Sequence, residues 1–356
     1  MTKDFLEKRI TELEKLGGYE KPPKISGSLK LDSNENFVIS RLFQQDLIDA
    51  AKKKCDVREY PLGGTEKLVN QLSKFLKVPT NMVGVGNGSE KILDLFLANF
   101  CTKQTRILTT DPTFSFFEER CKLYRIPMIR VPFSDKMTID IDDFLAKTKN
   151  ADLIYIDSPN NPTGFQFTRN DLKKLIQSFK GPIIIDEAYV EFADSSVVSL
   201  VKQFDNLIVV RTLSKAFGLA GLRLGYFASN KKITDIFSKI IQYPYPLNTL
   251  AIQCGILALG KFKKVSSMFS LIKNERRKII QSLRKTGTFD VFDSNANFVL
   301  FDAKGADSRV YNALIEQGIS IRKLGKLGRH KGCLRVTVGT PEMNSKFLLA
   351  IRDLLE

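Results

Sequence analysis

Short, uninterrupted apolar runs alternate with helical periods through the middle of the chain. The runs do not alternate polar and apolar positions, which is typical of strands buried on both faces of a sheet. Strands are predicted at 83–85, 106–109, 153–156, 182–185 and 207–210, and helices at 90–100, 114–124 and 171–179. This order predicts an α/β layered fold with a mostly parallel sheet between helices.

The pattern changes after residue 247. Helices are predicted at 249–259, 263–285 and 308–317 and from Pro341 onwards, and strands at 297–301 and 334–338. Pro341 suits the first position of a helix, where a missing N–H costs nothing. We expect an N-terminal arm (1–30) that contributes to the small domain, a large domain (31–247) and a smaller α+β C-terminal domain (248–356).

The chain has 356 residues and a formal net charge of +16, which bears on its partners. A basic protein suggests nucleic acid, but no aromatic-interleaved basic patch accompanies the short lysine clusters, and we expect no nucleic-acid partner. The charge would also attract small anionic substrates. The charge-free stretch 240–260 contains two prolines and is interpreted as a buried turn and helix, and no membrane association is expected.

Cysteine and histidine usage excludes several kinds of site. The five cysteines are widely spaced without a CxxC, so neither a disulfide framework nor structural zinc is expected. His330 is the one histidine, which excludes a multi-histidine metal site. It falls in the basic stretch 325–332, where a solvent-exposed position and a minor substrate contact both stay open. The charged start shows no secretory signal, so the cytoplasm is the default compartment.

Polar residues follow the predicted strands, and open α/β sheets bind ligands at the carboxyl ends of their strands. The glycine-rich turn 86–90 opens a helix and suits an anion, although a plain turn is an equally good interpretation. Asn161 lies in the turn after the third strand. Asp186 and Tyr189 follow the fourth strand. A Walker B interpretation of Asp186 is disfavoured because no Walker A motif occurs in the chain.

Lys215 follows the fifth strand. A lone lysine in a loop is usually solvated, but apolar, small and hydroxyl residues surround this one, and burial lowers the pKa of an amine and suits it to a Schiff base. Arg223 follows eight positions later. Together, an anion-binding turn, a carboxylate, an asparagine, a tyrosine and such a lysine are what a pyridine cofactor with a phosphate and an aldehyde requires.

The segments Asn-Pro-Thr-Gly (161–164), Asp-Glu-Ala-Tyr (186–189) and Ser-Lys (214–215), with Arg223, resemble the fold-type-I aminotransferases that use pyridoxal 5′-phosphate. The resemblance implies that Lys215 holds the cofactor and shuttles a proton, and that Asp186 pairs with the pyridinium nitrogen. It places Tyr189 and Asn161 at the phenolic oxygen. The rest of the implied cofactor shell is Gly88, Ser89, Glu90, Phe114, Thr212, Ser214, Arg223 and Tyr60.

Further segments resemble the histidinol-phosphate aminotransferases within that group. They are 31–36, 58–61, 158–164, 244–248, 295–298 and 332–340. The resemblance implies a homodimer, in which Tyr60 would reach the cofactor phosphate of the neighbouring subunit. The substrate contacts that it implies are Tyr19, Asn34, Tyr60, Asn161, Arg322 and Arg335.

The implied reaction is transamination of L-histidinol phosphate with 2-oxoglutarate, giving imidazole acetol phosphate and L-glutamate in histidine biosynthesis. One site must bind a phosphate ester and then a dicarboxylate, and the guanidinium groups of Arg322 and Arg335 suit both. Two activities of the same family stay open, an aromatic amino-acid aminotransferase and a threonine-phosphate decarboxylase. They would share the cofactor residues and differ in the substrate pocket.

Overall fold

The computed structural model describes residues 2–16 and 28–356. Its strands are β1 (Leu29–Leu31), β2 (Val83–Asn87), β3 (Ile107–Asp111), β4 (Met128–Pro132), β5 (Leu153–Asp157), β6 (Ile183–Asp186), β7 (Leu207–Thr212), β8 (Leu224–Ala228), β9 (Asp290–Val291), β10 (Phe298–Asp302), β11 (Ile319–Leu327) and β12 (His330–Thr337).

The α-helices surround two sheets formed by these strands. They are α1 (Thr2–Glu14), α2 (Arg41–Lys52), α3 (Gly64–Leu76), α4 (Gly88–Phe100), α5 (Ser115–Tyr124), α6 (Ile141–Lys147), α7 (Arg169–Ser178), α8 (Lys231–Ile236), α9 (Thr249–Gly260), α10 (Phe262–Ser266), α11 (Phe269–Lys285), α12 (Asp307–Glu316) and α13 (Pro341–Leu355). Local capping explains several starts: Thr168 and Asp171 form a capping box on α7, and Pro341 opens α13 behind the N-cap Thr340, as predicted.

The larger sheet has seven strands in the order β2-β8-β7-β6-β5-β3-β4. Strands β7, β6, β5, β3 and β4 pair in parallel, and β8 runs antiparallel to both β7 and β2. The apolar runs explain why this sheet is central. Ile183 and Ile185 face one hydrophobic cluster while Ile184, between them, faces another, so helices cover both faces.

The second sheet has five strands in the order β1-β11-β12-β10-β9. Strand β1 pairs in parallel with β11, and the other neighbours are antiparallel. Helices α11, α12 and α13 contact one another or this sheet, whereas α9 packs against α2 and α3. The division of the chain into domains at residues 30 and 247 stays a prediction.

Several elements differ from the sequence predictions. Strands β4, β8 and β11 were not predicted. Arg130 interrupts the apolar signal of β4, and one glycine and three basic residues interrupt that of β11. The helix predicted at 263–285 is two helices, α10 and α11, separated at Ser267 and Met268. The stretch 240–260 is not buried throughout, since 77% of Ile240 and 57% of Tyr243 are exposed.

The basic stretch 325–332 is a β-hairpin, in which β11 turns into β12. His330 is buried there, and its Nδ1 lies 3.1 Å from Asp302 Oδ2 while its Nε2 lies 3.1 Å from Asp135 O. The solvent-exposed position considered for His330 is therefore wrong. Among the described helices, none is both long and apolar enough to cross a membrane.

Candidate active site

A cavity of about 520 Å³ opens at the carboxyl edge of the large sheet. Asp157, Asp186 and Thr212 line it, and each is the last residue of its strand, in β5, β6 and β7. The second sheet closes the opposite side with residues of β11 and β12. The strand ends therefore meet at one place, as expected for a parallel sheet.

Lys215 extends from the turn after β7 into this cavity. Its Nζ donates a hydrogen bond to the Ser33 carbonyl oxygen at 3.1 Å and lies 5.6 Å from the centroid of the Tyr189 ring. Burial, followed by the positive charge of Arg335, lowers the pKa of Lys215 to about 8. A large fraction of this amine is therefore neutral at mildly alkaline pH.

Asp186 and Tyr189 reach the cavity from the turn after β6. Asp186 Oδ1 accepts a hydrogen bond from the Ala188 N–H at 3.0 Å. Burial, with the nearby Asp157 as second cause, raises the pKa of Asp186 to about 7. The Tyr189 hydroxyl accepts a hydrogen bond from Asn34 Nδ2 at 3.0 Å, and burial raises its pKa to about 12, so this phenol stays protonated at neutral pH.

The turn between β2 and α4 forms one wall with β8. Gly88 has φ +85°, and a Cβ at this position would lie 2.8 Å from Arg223 Nη2. At Gly225, a Cβ would lie 2.3 Å from the Gly88 carbonyl carbon, so the two backbones approach too closely for any side chain. The hydroxyls of Thr212 and Ser214 are 2.9 Å apart beside this turn.

Arg223 is held at this wall by an acidic residue. Its Nη2 donates to Glu90 Oε2 at 2.6 Å, and both side chains are partly exposed in the cavity. The predicted anion site therefore contains backbone N–H groups, two hydroxyls and a guanidinium, together with one carboxylate.

The opposite wall carries two arginines from the second sheet, which pair in register on β11 and β12 as Arg322 and Arg335. Arg335 Nη2 donates to the Asp32 carbonyl oxygen at 2.9 Å, and its Nη1 donates to Asn161 Oδ1. Its guanidinium also lies 5.2 Å from the centroid of the Phe298 ring. These contacts orient Arg335 across the cavity from Arg223.

Most of the predicted site residues lie together. Those that line the cavity are Asn34, Ser89, Glu90, Phe114, Asn161, Asp186, Tyr189, Thr212, Ser214, Lys215, Arg223, Arg322 and Arg335. Gly88 lies directly behind the Arg223 guanidinium. Tyr60 is elsewhere: 71% of it is exposed, and its ring stacks on Tyr245 with centroids 4.5 Å apart. Tyr19 lies outside the described residues.

The cavity is also lined by residues that were not predicted, including Asp32, Glu35 and Asp157. Asp157 carries the same signal that identified Asp186, a carboxylate that ends a buried apolar run. Burial raises its pKa to about 7. Asp32 and Glu35 lie between β1 and α2 and do not follow a predicted strand, so they give no such signal.

Comparison with known proteins identifies the family. A profile of the family "Aminotransferase class I and II" matches residues 27–351. The chain is 34% identical over 331 residues to the histidinol-phosphate aminotransferase of Thermoanaerobacter pseudethanolicus, covering 92% of this chain and 93% of that protein.

Solved structures agree with the family match. The histidinol-phosphate aminotransferase of Clostridium acetobutylicum superposes with a TM-score of 0.83 at 28% identity, over 91% of this chain and 98% of that one. The enzyme of that name from Sinorhizobium meliloti, in complex with pyridoxal-5′-phosphate, has the same fold, with a TM-score of 0.86 at 22% identity over 98% and 97% of the two chains.

These matches confirm the fold-type-I architecture, the enzyme class and the cofactor that the sequence predicted. They extend over nearly the whole chain, so both sheets and the cavity between them belong to the matched region. The chain is therefore a member of the class I and II aminotransferases, which depend on pyridoxal 5′-phosphate.

Proposed function

We propose that the chain transfers the amino group of L-histidinol phosphate to 2-oxoglutarate, giving imidazole acetol phosphate and L-glutamate in histidine biosynthesis. The observation that carries this proposal is the placement of arginines on two opposite walls of one cavity, Arg223 on one and Arg322 with Arg335 on the other. Two cationic positions suit a cofactor phosphate and a substrate phosphate bound together. The similarity to histidinol-phosphate aminotransferases supports the same substrate.

The residues at the Arg223 wall fit the phosphate of the cofactor. A Cβ at Gly88 would fill the space beside the guanidinium, so the turn leaves its backbone N–H groups and the Ser89 hydroxyl available to an anion. Thr212, Ser214 and Arg223 complete the cradle. A phosphate bound here would replace Glu90 as the partner of Arg223.

The residues around the centre of the cavity would orient the ring. Pyridoxal phosphate, when bound, supplies an aldehyde that condenses with amines and a ring that withdraws electrons. Asp186 would hold the ring nitrogen as a hydrogen-bonded, charged pair. Asn161 and the Tyr189 hydroxyl would contact the phenolic oxygen, and Phe114 offers a face for stacking.

Lys215 is proposed as the residue that moves the proton. With a pKa of about 8, its Nζ would be able to take up a proton from the substrate and release it again near neutral pH. The Ser33 carbonyl and the Tyr189 ring limit where the Nζ can move.

The two arginines on the second sheet would serve both halves of the reaction. Arg335 is already oriented by Asp32 and Asn161, so its guanidinium is fixed before substrate binds. We propose that Arg335 and Arg322 bind the substrate phosphate in the first half and a carboxylate of 2-oxoglutarate in the second. A planar guanidinium forms paired hydrogen bonds with either group.

The homodimer is also a proposal. An exposed apolar surface supports it, because Tyr60, Leu62 and Tyr243 are 71%, 78% and 57% exposed. Exposed apolar residues in one area are typical of a protein–protein interface. We propose that a second copy covers this surface and that Tyr60 then contacts the neighbouring cofactor phosphate. Sedimentation of the native chain against Tyr60→Asp measures whether the dimer forms.

The cytoplasm is proposed as the compartment. The five cysteines are free thiols in the structure, and three of them are buried. Free thiols are usual where the environment is reducing. Fractionation of cells that express the chain measures its location.

The test of the substrate is a half-reaction. The chain loaded with pyridoxal phosphate is mixed with histidinol phosphate in the absence of a keto acid, and the loss of the cofactor absorbance is followed. Phenylalanine at equal concentration serves as the comparison, and release of carbon dioxide from threonine phosphate is measured separately. Fast bleaching by histidinol phosphate alone supports the proposal.

Variants at the Arg335 wall sharpen this test. Arg335→Leu removes a ligand of both phosphate and carboxylate and is expected to slow the half-reactions with histidinol phosphate and with 2-oxoglutarate. Lys326→Leu removes an exposed positive charge on the neighbouring strand, β11, outside the cavity lining, and serves as the control. A native chain that prefers phenylalanine, or that releases carbon dioxide, overturns the substrate assignment.

A further inference from the structure

Two carboxyl groups lie side by side at the base of the cavity. Asp157 ends β5 and Asp186 ends β6, and the two residues are direct partners in the parallel register of these strands. Only 4% of Asp157 and 3% of Asp186 is exposed, and both line the cavity. Like charges buried this close together do not both ionise readily.

Asp157 is surrounded by hydrogen-bond donors. Its Oδ1 accepts from Thr113 Oγ1 at 3.0 Å and from Asn160 Nδ2 at 2.8 Å, and its Oδ2 accepts from the Asn161 N–H at 2.7 Å. Three donors stabilise the ionised form of a carboxyl group. They also connect Asp157 to the turn before Phe114 and to the turn that carries Asn161.

Asp186 has fewer donors. Its Oδ1 accepts from the Ala188 N–H, and its Oδ2 accepts from the Tyr155 hydroxyl at a longer 3.3 Å. Within the described residues, no lysine or arginine forms an ion pair with Asp157 or with Asp186. The donors therefore favour the negative charge on Asp157, which leaves the proton of the pair on Asp186.

Other ionisable groups around Asp186 do not supply the missing positive charge. Tyr155 lies below it on β5, and burial raises the pKa of this phenol well above its ordinary value. Glu90, on α4, adds a further negative charge that raises the pKa of Asp186. Tyr189, from the turn after β6, has a pKa of about 12 and is neutral. Lys215 Nζ lies 5.6 Å from the centroid of the Tyr189 ring and forms no ion pair with Asp186.

We propose that Asp157 is a positioning residue of the cofactor site, the fixed anion of a carboxyl pair that keeps a proton on Asp186 in the cofactor-free chain. This role of Asp157 rests on one part of the proposed function, the contact of Asp186 with the ring nitrogen of the cofactor. When an unprotonated ring enters, Asp186 gives its proton to the ring nitrogen: the O–H bond breaks, an N–H bond forms, and Asp186 becomes the carboxylate partner. When the ring enters already protonated, the Asp186 proton leaves to solvent.

The proposal has a consequence for binding at acidic pH. Below the pH at which the pair takes up its proton, a protonated ring must displace that proton, so affinity falls as the pH falls. Asp157→Asn removes the neighbouring charge, which makes Asp186 more acidic. The midpoint of the acidic limb is then expected to move to lower pH by about one unit. Thr113→Val removes one donor from Asp157, which raises the proton affinity of the pair and moves the midpoint to higher pH.

Calorimetry on the full chain freed of cofactor measures this effect. The probe is 4-deoxypyridoxine 5′-phosphate, which has the ring nitrogen and the phosphate but no aldehyde, so Lys215 does not react with it. Affinity and proton release are recorded between about pH 5 and pH 8, a range that spans the ordinary and the raised carboxyl pKa values. Titrations of the probe itself are common to all variants and cancel in the comparison.

Asp152→Asn is the matched control. Asp152 immediately precedes the same strand, at its other end, and its carboxylate pairs with Arg106 near the surface. Opposite shifts for Asp157→Asn and Thr113→Val, with no shift for Asp152→Asn, support the proposal. An Asp157→Asn profile whose midpoint equals that of the native chain overturns it, even if the affinity is lower at every pH. If Asp157→Asn does not fold, an unshifted Thr113→Val profile overturns the proposal by itself.

The proposed function fails differently. A chain that binds the probe with these shifts, but that histidinol phosphate does not bleach, retains the carboxyl pair and loses the substrate assignment. A chain that histidinol phosphate bleaches, but whose variants show no shifts, retains the substrate and loses the role of Asp157.

Discussion

Two sets of buried charges lie at the carboxyl edge of the large sheet, and they begin at consecutive residues. Glu187 belongs to the first set and Asp186 to the second, because neighbouring residues of an extended chain face opposite sides. In the first set, Arg211 Nη2 donates to Glu187 Oε2 at 2.7 Å, and Arg211 Nη1 lies 3.7 Å from Glu191 Oε1. In the second set, Asp157, Asp186 and Lys215 form no such pairs among the described residues.

The first set is arranged for stability. Glu187 Oε1 also accepts from the Val197 N–H at 2.7 Å, and its Oε2 accepts from the Ser196 hydroxyl at 2.9 Å. Burial opposes the charge on Arg211, but the neighbouring Glu187 leaves its pKa raised overall. A buried ion pair of this kind connects the segment after β6 to β7.

The second set is arranged for chemistry. Burial moves the pKa of Asp186 up to about 7 and the pKa of Lys215 down to about 8, so both groups titrate near neutral pH. Displaced pKa values of this kind are concentrated at functional sites, where a ligand supplies the missing partner. The contrast teaches that burial alone does not identify a functional charge. A buried charge that lacks an ion-pair partner inside the protein is the better indicator of function.

The largest effect is expected from a substitution in the second set of charges. Lys215→Ala removes the amine that moves the proton and is expected to lower kcat by up to about 10⁴-fold. The cradle at Arg223 is unchanged, so the cofactor still binds through its phosphate. Steady-state turnover and equilibrium dialysis of the cofactor measure the two effects. Lys323→Ala, which removes a second lysine of the cavity, is the control, and a Lys215→Ala variant that keeps the native kcat contradicts the assignment.

The next largest effect is expected from a substitution in the first set of charges. Arg211→Met leaves two buried carboxyl groups without a cationic partner and is expected to cost about 3–5 kcal/mol of unfolding free energy. The matched control is Arg106→Met, which breaks an exposed pair with Asp152 and is expected to cost about 1 kcal/mol or less. Urea unfolding of both variants measures the difference. Equal losses of unfolding free energy in the two variants would show that the buried ion pair stabilises the fold no more than the exposed one.

A pH profile sharpens the description of Lys215. The neutral amine reacts with an aldehyde, so covalent attachment of pyridoxal phosphate to the cofactor-free chain is expected to accelerate with pH and to reach half its maximum near pH 8. Arg335→Gln removes a positive charge that lowers this pKa, so its midpoint is expected at higher pH. Stopped-flow absorbance measures both. A native midpoint near the ordinary value of lysine would contradict the burial argument.

The smallest expected effect concerns Glu90. Its carboxylate occupies Arg223 at 2.6 Å, and both side chains are more than 40% exposed. Glu90→Gln frees the guanidinium and is expected to tighten the binding of inorganic phosphate by about two- to fivefold, the scale of an exposed ion pair. Glu118→Gln is the control, because Glu118 lines the same cavity but pairs with Arg130. Weaker phosphate binding by Glu90→Gln would show that the Glu90 carboxylate favours phosphate binding and would contradict this prediction.

The sequence predicted the central elements well because their signals are local. The runs that end at Asp157 and Asp186 are apolar at every position, and turn residues follow them, so both strands and their ends were visible. Strand β8 was not predicted because Leu224 and Gly225 at its start were assigned to the loop that contains Lys215 and Arg223. Strand β11 was missed because its second half carries three basic residues and a glycine.

The site was predicted only in part for a related reason. Asp186 and Lys215 were identified because each follows a strand and stands in a recognisable motif. Asp157 stands in the same kind of position and was missed, because its importance depends on the neighbouring strand. His330 was assigned to a loop, although the hairpin buries it against Asp302, which lies 28 residues earlier.

By itself, the sequence determined which residues end the buried strands, and therefore the chemical groups that line the cavity. The apolar run and the turn that follows it are local properties, and the parallel arrangement brings the ends of such strands to one edge. The tertiary structure alone decided which of these groups have partners. Strand order and register place Asp157 beside Asp186 and Arg335 against Asn161, whereas Glu187 meets Arg211 on the other side. These neighbours are distant in sequence, and their pairing depends on the packing of the whole fold.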